Sequence, residues 1–301
     1  MLIMILNYDD VKEKPETLRA MTSLNRDEFE LLCLSFSQAW EEETQSCQRD
    51  PSKGGRKPIL TKHEDRLLFI LFYLKTYPLQ EVLAHLFGMS QGQAHFLIYQ
   101  LSRILRETLK RMDHLPARTS EEMIRKLAEE EPQDFAIDGT ERRIQRPKDP
   151  DRQKRFFSGK EGEHTVKNVI VSGLLDQQVK YLSPTQEGRK HDKKIADEEH
   201  ITAPEGSDLY QDTGFQGFTL PEVTIHQPKK KSKGEQLSLG DKIINRIISR
   251  TRVGVEHVIA GVKRLHIVQN VFRNTQDNYE DHVMELACGL HNFRSNHRLC
   301  Y

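Results

Sequence analysis

The sequence predicts an α+β protein: an all-helical N-terminal part followed by a part that mixes strands with helices. Three observations carry this. Apolar residues recur at helical spacing through roughly the first 130 residues. From Asp134 the pattern changes to alternating and β-branched runs, which read as strands. Helical periodicity then returns in a long segment that contains Gly254 and Gly261. Pro132 marks the expected boundary, with one domain over 1–131 and a second over 132–301.

A chain of 301 residues is long enough for two domains, each with a core. It is 36% hydrophobic and 30% charged, as soluble globular proteins are. Lys+Arg and Asp+Glu both number 45, so any basic footprint must be local. Cys33, Cys47, Cys288 and Cys300 form no C-x-x-C and no zinc spacing, which predicts free thiols in a reducing, cytoplasmic compartment. The opening M-L-I-M-I-L is too short for a signal peptide and lacks a basic start. No window approaches the roughly 20 apolar residues of a membrane span, so no membrane partner is expected.

In the first part, Asn25 is placed to cap a helix with Asp27 and Glu28 in its first turn. Phe29, Leu32, Cys33, Phe36 and Trp40 then recur on one face. An exposed connection is expected over 41–55, ending in the basic, turn-rich S-K-G-G-R-K-P. Thr61-Lys62-His63-Glu64 has the pattern of a capping box and opens a helix that Pro78 ends. Residues 79–105 read as a short helix, a turn through Gly88-Met89-Ser90 and a second helix capped by Ser90 with Gln93. Helix, glycine turn, helix is the pattern of a DNA-binding helix-turn-helix, and also of many plain αα-hairpins. Gln91, Gln93, His95 and Arg103 are the candidates to meet DNA; otherwise they form a solvated face. A charged helix is expected over 120–130, capped by Thr119 with Glu122.

In the second part, F-A-I-D-G-T-E-R-R-I, H-T-V-K-N-V-I-V-S-G-L-L and Q-V-K-Y-L-S read as a three-stranded meander, with Asp138 at the end of the first strand. Between the first two lies a basic loop. Residues 142–160 hold eight Lys/Arg (142, 143, 146, 148, 152, 154, 155 and 160) against Asp149 and Asp151, with Phe156 and Phe157 inside. Such a run suits phosphate contact and base stacking, or else is simply solvated. A helix over 191–200, a short strand ending at Asp212, and a strand V-T-I-H follow. That strand leads into the basic cluster Lys229, Lys230, Lys231 and Lys233. Two helices, over 239–265 and 277–293, complete the chain.

On the first of these, Arg252, Glu256 and Lys263 fall within about 40° of one another at helical spacing and form one polar edge. An Arg252–Glu256 ion pair is one use for that edge; a carboxylate metal ligand flanked by phosphate-binding cations is another. Gly254 and Gly261 each cost roughly 1 kcal/mol against alanine in a helix interior, which suggests close approach of a backbone or a nucleic acid.

Together, I-D-G-T-E with Asp138, Y-Q-D-T-G-F-Q-G with Asp212, and R-V-G-V-E-H-V-I-A-G-V-K with Glu256 resemble a DDE transposase of the insertion-sequence-five superfamily, a relative of the Harbinger-derived nucleases. The resemblance covers most of the chain. L-F-Y-L-K-T-Y-P and L-F-G-M-S-Q resemble the helix-turn-helix region of such proteins, and S-G-K and H-T-V-K-N also match. The family's last motif is Tyr, Arg after two residues, Glu after three and Lys after six. Arg252, Glu256 and Lys263 fit it, but the Tyr position holds Ser249, which removes a DNA contact by that side chain.

The resemblance implies a ribonuclease-H-like domain with a mixed five-stranded sheet flanked by helices. It implies metal-dependent cleavage at transposon ends by water, and then strand transfer to target DNA by the freed 3′-hydroxyl. Asp138, Asp212 and Glu256 are the implied metal ligands, for two Mg²⁺ ions about 4 Å apart with Mn²⁺ able to substitute. Arg142, Arg143, Lys154, Arg155, Lys160, Lys167, Lys230, Arg252 and Lys263 are the implied DNA contacts, beside Gln91 and Gln93. The implied partners are double-stranded DNA, both element ends and target, and further copies of the chain in a homodimer or larger assembly. If the host is bacterial, the nucleoid is the place of work. Alternatives exist. Asp138-Gly139 also reads as a hairpin turn, and Asp212-Thr213-Gly214 as an Asx turn. An aspartic protease would need a second Asp-Thr-Gly strand turn that the chain lacks. A domesticated transposase that binds DNA without cutting it would keep the same binding features.

Overall fold

A computed structural model describes residues 6–46, 58–127, 133–231 and 236–298. The chain forms two compact units, one of Met1–Leu115 with Arg264–Asn270, the other of Pro116–Lys263 with Val271–Tyr301. Among the described residues no helix is long and apolar enough to cross a membrane.

The first unit is helical: α1 (Pro15–Thr22), α2 (Arg26–Ser46), α3 (His63–Thr76), α4 (Gln80–Leu86), α5 (Gln91–Arg111) and the short α10 (His266–Gln269). The expected cap of α2 forms, with Asn25 Oδ1 accepting from the Glu28 backbone N–H at 2.8 Å and the Glu28 carboxylate accepting from Asn25 N at 2.8 Å. The helix continues past the expected end at 41, because Glu42 and Glu43 pair with Arg111 and Arg103 of α5 at 2.8 and 2.6 Å. The rest of the expected connection, with Cys47, lies outside the described residues, as do Pro132, Lys233 and Cys300. The expected capping box at Thr61 does not form: the N-cap is Lys62, with no side-chain cap. Around Ser90 it does form, and it starts α5 after the α4 turn. Phe29, Phe36, Phe69, Phe87, Ile98 and Leu101 fill the core, and Cys33 is a buried free thiol.

The second unit begins before the expected boundary. Helix α6 (Ser120–Leu127) buries Met123 and Leu127 in the core beneath Phe135 and Tyr181, and Ser120 Oγ donates to the Glu199 carbonyl at 2.9 Å. The expected continuation of α6 to 130 lies outside the described residues.

Strand β1 (Asp134–Arg143) pairs antiparallel with β3 (Glu163–Gly173), and β3 with β4 (Val179–Leu182). The three-stranded meander is therefore present. On its other side β1 pairs in parallel with β6 (Asp208–Gln211), which pairs in parallel with β7 (Thr224–His226). The order β4-β3-β1-β6-β7 is the mixed five-stranded sheet that the resemblance implies, and the short β2 (Phe157–Ser158) and β5 (Gln186–Glu187) also pair with β3.

One face of the sheet, with Ile137, Val169 and Val171, packs on α8 (Asp192–Glu198) through Ile195 and Ala196. The long α9 (Leu239–Val262) packs on β1, β3, β6 and α11 (Tyr279–Arg298). The two α9 glycines admit side chains, not a backbone or a nucleic acid. A Cβ on Gly254 would lie 2.8 Å from Leu174 Cδ2, and one on Gly261 2.5 Å from His291 Nδ1.

Candidate active site

The site follows from a mismatch in strand length. β1 pairs with β6 only from Asp134↔Asp208 to Ile137↔Gln211. β6 stops there and β1 continues, so Asp138 sits in the middle of its strand rather than at its end. Asp212 comes one residue after the last paired position. In parallel pairing the two aspartates are therefore cross-strand neighbours at the carboxyl end of β6, where open sheets bind their ligands.

Each aspartate is held. Asp138 Oδ1 accepts from the Gly139 backbone N–H at 2.8 Å, and its other oxygen lies 3.5 Å from an Arg252 guanidinium nitrogen. Burial pushes its carboxyl up to about 6; the Arg252 cation opposes this, and the charges of Asp212 and Asp192 add to it. Asp212 Oδ1 accepts from Gly214 N at 2.6 Å, capping the 3₁₀ turn Thr213–Phe215. The Asp212 carbonyl accepts from Gln227 just past β7 at 2.6 Å. Asp138-Gly139 is thus no hairpin turn, while the Asx-type cap at Asp212 is real and coexists with its place beside Asp138.

Helix α9 supplies the third wall. Arg252 reaches Asp138, and Lys263 Nζ donates to the Glu141 carbonyl at 3.0 Å. Burial lowers the Lys263 pKa, and the nearby Arg142 cation lowers it further. Glu256 shares the helical edge of these two residues and is exposed. Arg252 turns to Asp138 and not to Glu256, so the ion pair expected along the helix is replaced by one to the sheet. Among the described residues no three His, Cys, Asp or Glu side chains are gathered closely enough to hold a metal ion. Asp138 and Asp212 are brought together; Glu256 is not drawn in with them.

The expected DNA contacts divide into exposed and buried. Arg143, Lys154, Arg155, Lys160 and Lys230 are exposed, although Arg143 pairs with Glu163 at 3.4 Å and Arg155 with Glu187 at 2.8 Å. The basic stretch is not one loop. It forms α7 (Pro150–Phe156), capped by Asp149, and then β2, with Phe157 exposed and edge-on to His164.

Arg142 and Lys167, expected to meet DNA, both point inward instead. Arg142 donates to Asn168 Oδ1 at 2.8 Å and to the Glu280 carbonyl at 2.7 Å, and burial lowers its pKa to about 10. Lys167 lies between Glu141 at 3.2 Å and Asp192 at 3.1 Å. The two lie on opposite faces of the sheet, and both faces are covered: α11 meets Arg142 at Glu280 and α8 meets Lys167 at Asp192, so neither phase of these strands points outward here.

In the helix-turn-helix, Gln91 is exposed, whereas the Gln93 side-chain carbonyl is engaged by Ser90 N and Oγ, both at 3.0 Å. Arg103 is held by Glu43. His95 is exposed and edge-on to Tyr99. Phe96, which no pattern singles out, is 64% exposed on the same face.

The family model described as "DDE superfamily endonuclease" matches residues 137–292, and "Helix-turn-helix of DDE superfamily endonuclease" matches 60–111. The chain is 30% identical over 246 residues to "Probable transposase for insertion sequence element IS702" from Microchaete diplosiphon, a match covering 82% of this chain and 85% of the relative. No solved structure matches. Asp138, Asp212 and Glu256 all fall within the first match, the Ser90-capped hairpin falls within the second, and the chain belongs to the DDE superfamily endonucleases as a DNA transposase.

Proposed function

We propose that Asp138, Asp212 and Glu256 form the carboxylate set of a divalent-metal site, with Mg²⁺ as the natural ion, which cuts the element's ends and joins them to target DNA. The observation that carries this is the placement of Asp138 and Asp212 side by side, each one residue past the last β1–β6 pair Ile137↔Gln211, beneath the α9 edge that bears Arg252, Glu256 and Lys263. The donors fit a hard cation, since all are carboxylates. A buried aspartate raised to about 6 partly by a second aspartate is also a pair that a cation would stabilise. When bound, the metal supplies Lewis acidity to the phosphodiester and a more acidic attacking hydroxyl.

The chain's own groups do the rest. Asp138 and Asp212 hold a fixed spacing, because one is anchored by the Gly139 N–H and the other by the 3₁₀ turn. Glu256 closes the set when the exposed edge of α9 meets DNA. Arg252 exchanges its Asp138 contact for a phosphate oxygen. Lys263, tied to the β1 backbone, sets the crossing of α9 over β1. The helical unit up to Leu115 is assigned to DNA recognition and the sheet-containing unit from Pro116 to chemistry. Arg143, Lys154, Arg155, Lys160, Lys230 and Gln91 are the phosphate and groove contacts. The chain acts as a homodimer or larger assembly on DNA, at the nucleoid of a bacterial host.

The test is cleavage of DNA that carries the element's own ends, with Mg²⁺ or Mn²⁺ and with a chelator. Parent activity that is chelator-sensitive and lost in Asp138→Ala, Asp212→Ala and Glu256→Ala, with DNA binding retained, supports the reading. Chelator-resistant cleavage, or full activity in any of the three, sinks it.

A further inference from the structure

Behind β1, opposite the α9 side, lies a charged arrangement that the reaction as described does not use. Lys167, only 8% exposed, is in register with Glu141 across β1 and β3. Its ammonium lies 3.2 Å from Glu141 and 3.1 Å from Asp192, and it donates to the Lys190 carbonyl at 3.0 Å. Glu141 is further held by Thr165 Oγ1 at 2.7 Å. Asp192 opens α8, and its carboxylate is seated on Gly139, the residue after Asp138. A Cβ on Gly139 would lie 2.6 Å from Asp192 Cγ and Oδ1 and 2.9 Å from Oδ2. Any side chain at 139 would displace that carboxylate.

The same helix braces the other aspartate. α8 packs on the 3₁₀ turn that follows Asp212. Gly217, at φ +82°, closes that turn with its Cα face toward Lys193 Cε, 3.5 Å from the position of a Cβ. One short helix therefore touches the backbone beside both carboxylates, and a buried cation clamps it to β1.

We propose that Asp192 is a positioning residue: held by Lys167 and seated on Gly139, it fixes β1 behind Asp138 while α8 holds the turn after Asp212, and so sets the spacing of the two carboxylates toward a divalent metal. This rests on the metal-site reading above. Asp192 acts through its neighbours and is no ligand in this account, since it lies on the face of β1 away from Asp138. Outer partners of metal ligands commonly change metal affinity by about 10–100-fold.

The experiment is Mn²⁺ binding to the full chain on duplex DNA that carries the element's ends, read by electron paramagnetic resonance against the same DNA alone, with thermal unfolding followed in parallel. Asp192→Asn keeps the shape and removes the charge. Gly139→Ala keeps the charge and removes the seat. Each is expected to weaken Mn²⁺ binding about tenfold, and the Gly139→Ala/Asp192→Ala double variant to bind no more weakly than Asp192→Ala alone. If Asp192→Asn does not fold, Gly139→Ala and the double variant are read by the same criterion. Binding equal to the parent in Asp192→Asn and Gly139→Ala, while Asp138→Ala loses it, overturns the positioning role and leaves the metal site standing. Binding that is equally strong in the parent and Asp138→Ala overturns both.

Discussion

Arg252 on α9 lies 3.5 Å from Asp138 on β1, across 114 residues of sequence, with both side chains largely buried. The contact fixes which edge of α9 faces the sheet. Lys263 meets β1 at the Glu141 carbonyl, and Glu256 lies between the two on the same edge. Arg252 thus both offsets the Asp138 charge and orients the helix that carries the candidate carboxylate Glu256.

Replacing Arg252 by Ala is expected to raise the Asp138 pKa above its present value of about 6, because burial and the Asp212 charge are then opposed only by the Gly139 N–H. The pH at which the Asp138 carboxyl titrates in the protein free of metal and DNA should move upward. Arg252→Lys should restore the lower value in part. pH profiles of the three proteins decide this; identical profiles argue against the Arg252–Asp138 coupling.

Asp138→Asn should stabilise the metal-free protein while abolishing cleavage. The folded pKa of about 6 lies above the ordinary 3.8, so the native state binds the extra proton between those values. Stability therefore falls as pH rises through that window, by up to about 3 kcal/mol for a shift of this size. The opposing pull of Arg252 is already contained in that shift. Urea unfolding should show the Asp138→Asn variant more stable than the parent by about 1–3 kcal/mol at pH 7.5, with the gap narrowed to about 0.5 kcal/mol at pH 4.

Arg142→Gln and Lys160→Gln should separate folding from DNA affinity. Arg142 is buried with hydrogen bonds to Asn168 and Glu280, so its loss is expected to cost about 2–4 kcal/mol of stability. Lys160 is exposed, so its loss should leave stability within about 0.5 kcal/mol and reduce the salt dependence of DNA binding by about one unit of slope. Titrations at several salt concentrations, with melting curves, measure both.

Gly261→Ala should destabilise the second unit by about 1–3 kcal/mol, because the added methyl meets His291 at 2.5 Å, and that ring is held by the Gln177 carbonyl at 2.8 Å. Adding His291→Ala should cost less than the sum of the two single changes. Strict additivity in denaturant unfolding would show that the ring moves aside freely.

Local signals in the sequence located most elements. The Ser90–Gln93 box, the Asn25 cap and the β-branched run of β3 are decided by neighbours within a few residues, which a sequence displays directly. An end that depends on a distant partner leaves no such local signal: α2 runs past 41 because Arg103 and Arg111 of another helix hold its glutamates. Helix α6 belongs with the sheet for a similar reason, since its amphipathic face does not name the core that it covers.

The sequence by itself determined the order of the elements and the edge shared by Arg252, Glu256 and Lys263, because periodicity and residue type are local properties; the three candidate carboxylates came from the resemblance of their motifs to the family. Only the tertiary structure decided that Asp138 and Asp212 become neighbours where β6 stops short of β1, and that Glu256 stays exposed beside them. It also turned Arg142 and Lys167 inward and seated Asp192 on Gly139. Strand register, and the face to which each alternate side chain points, are set by which strands pair, and that pairing joins residues too far apart in the chain for any local pattern to record.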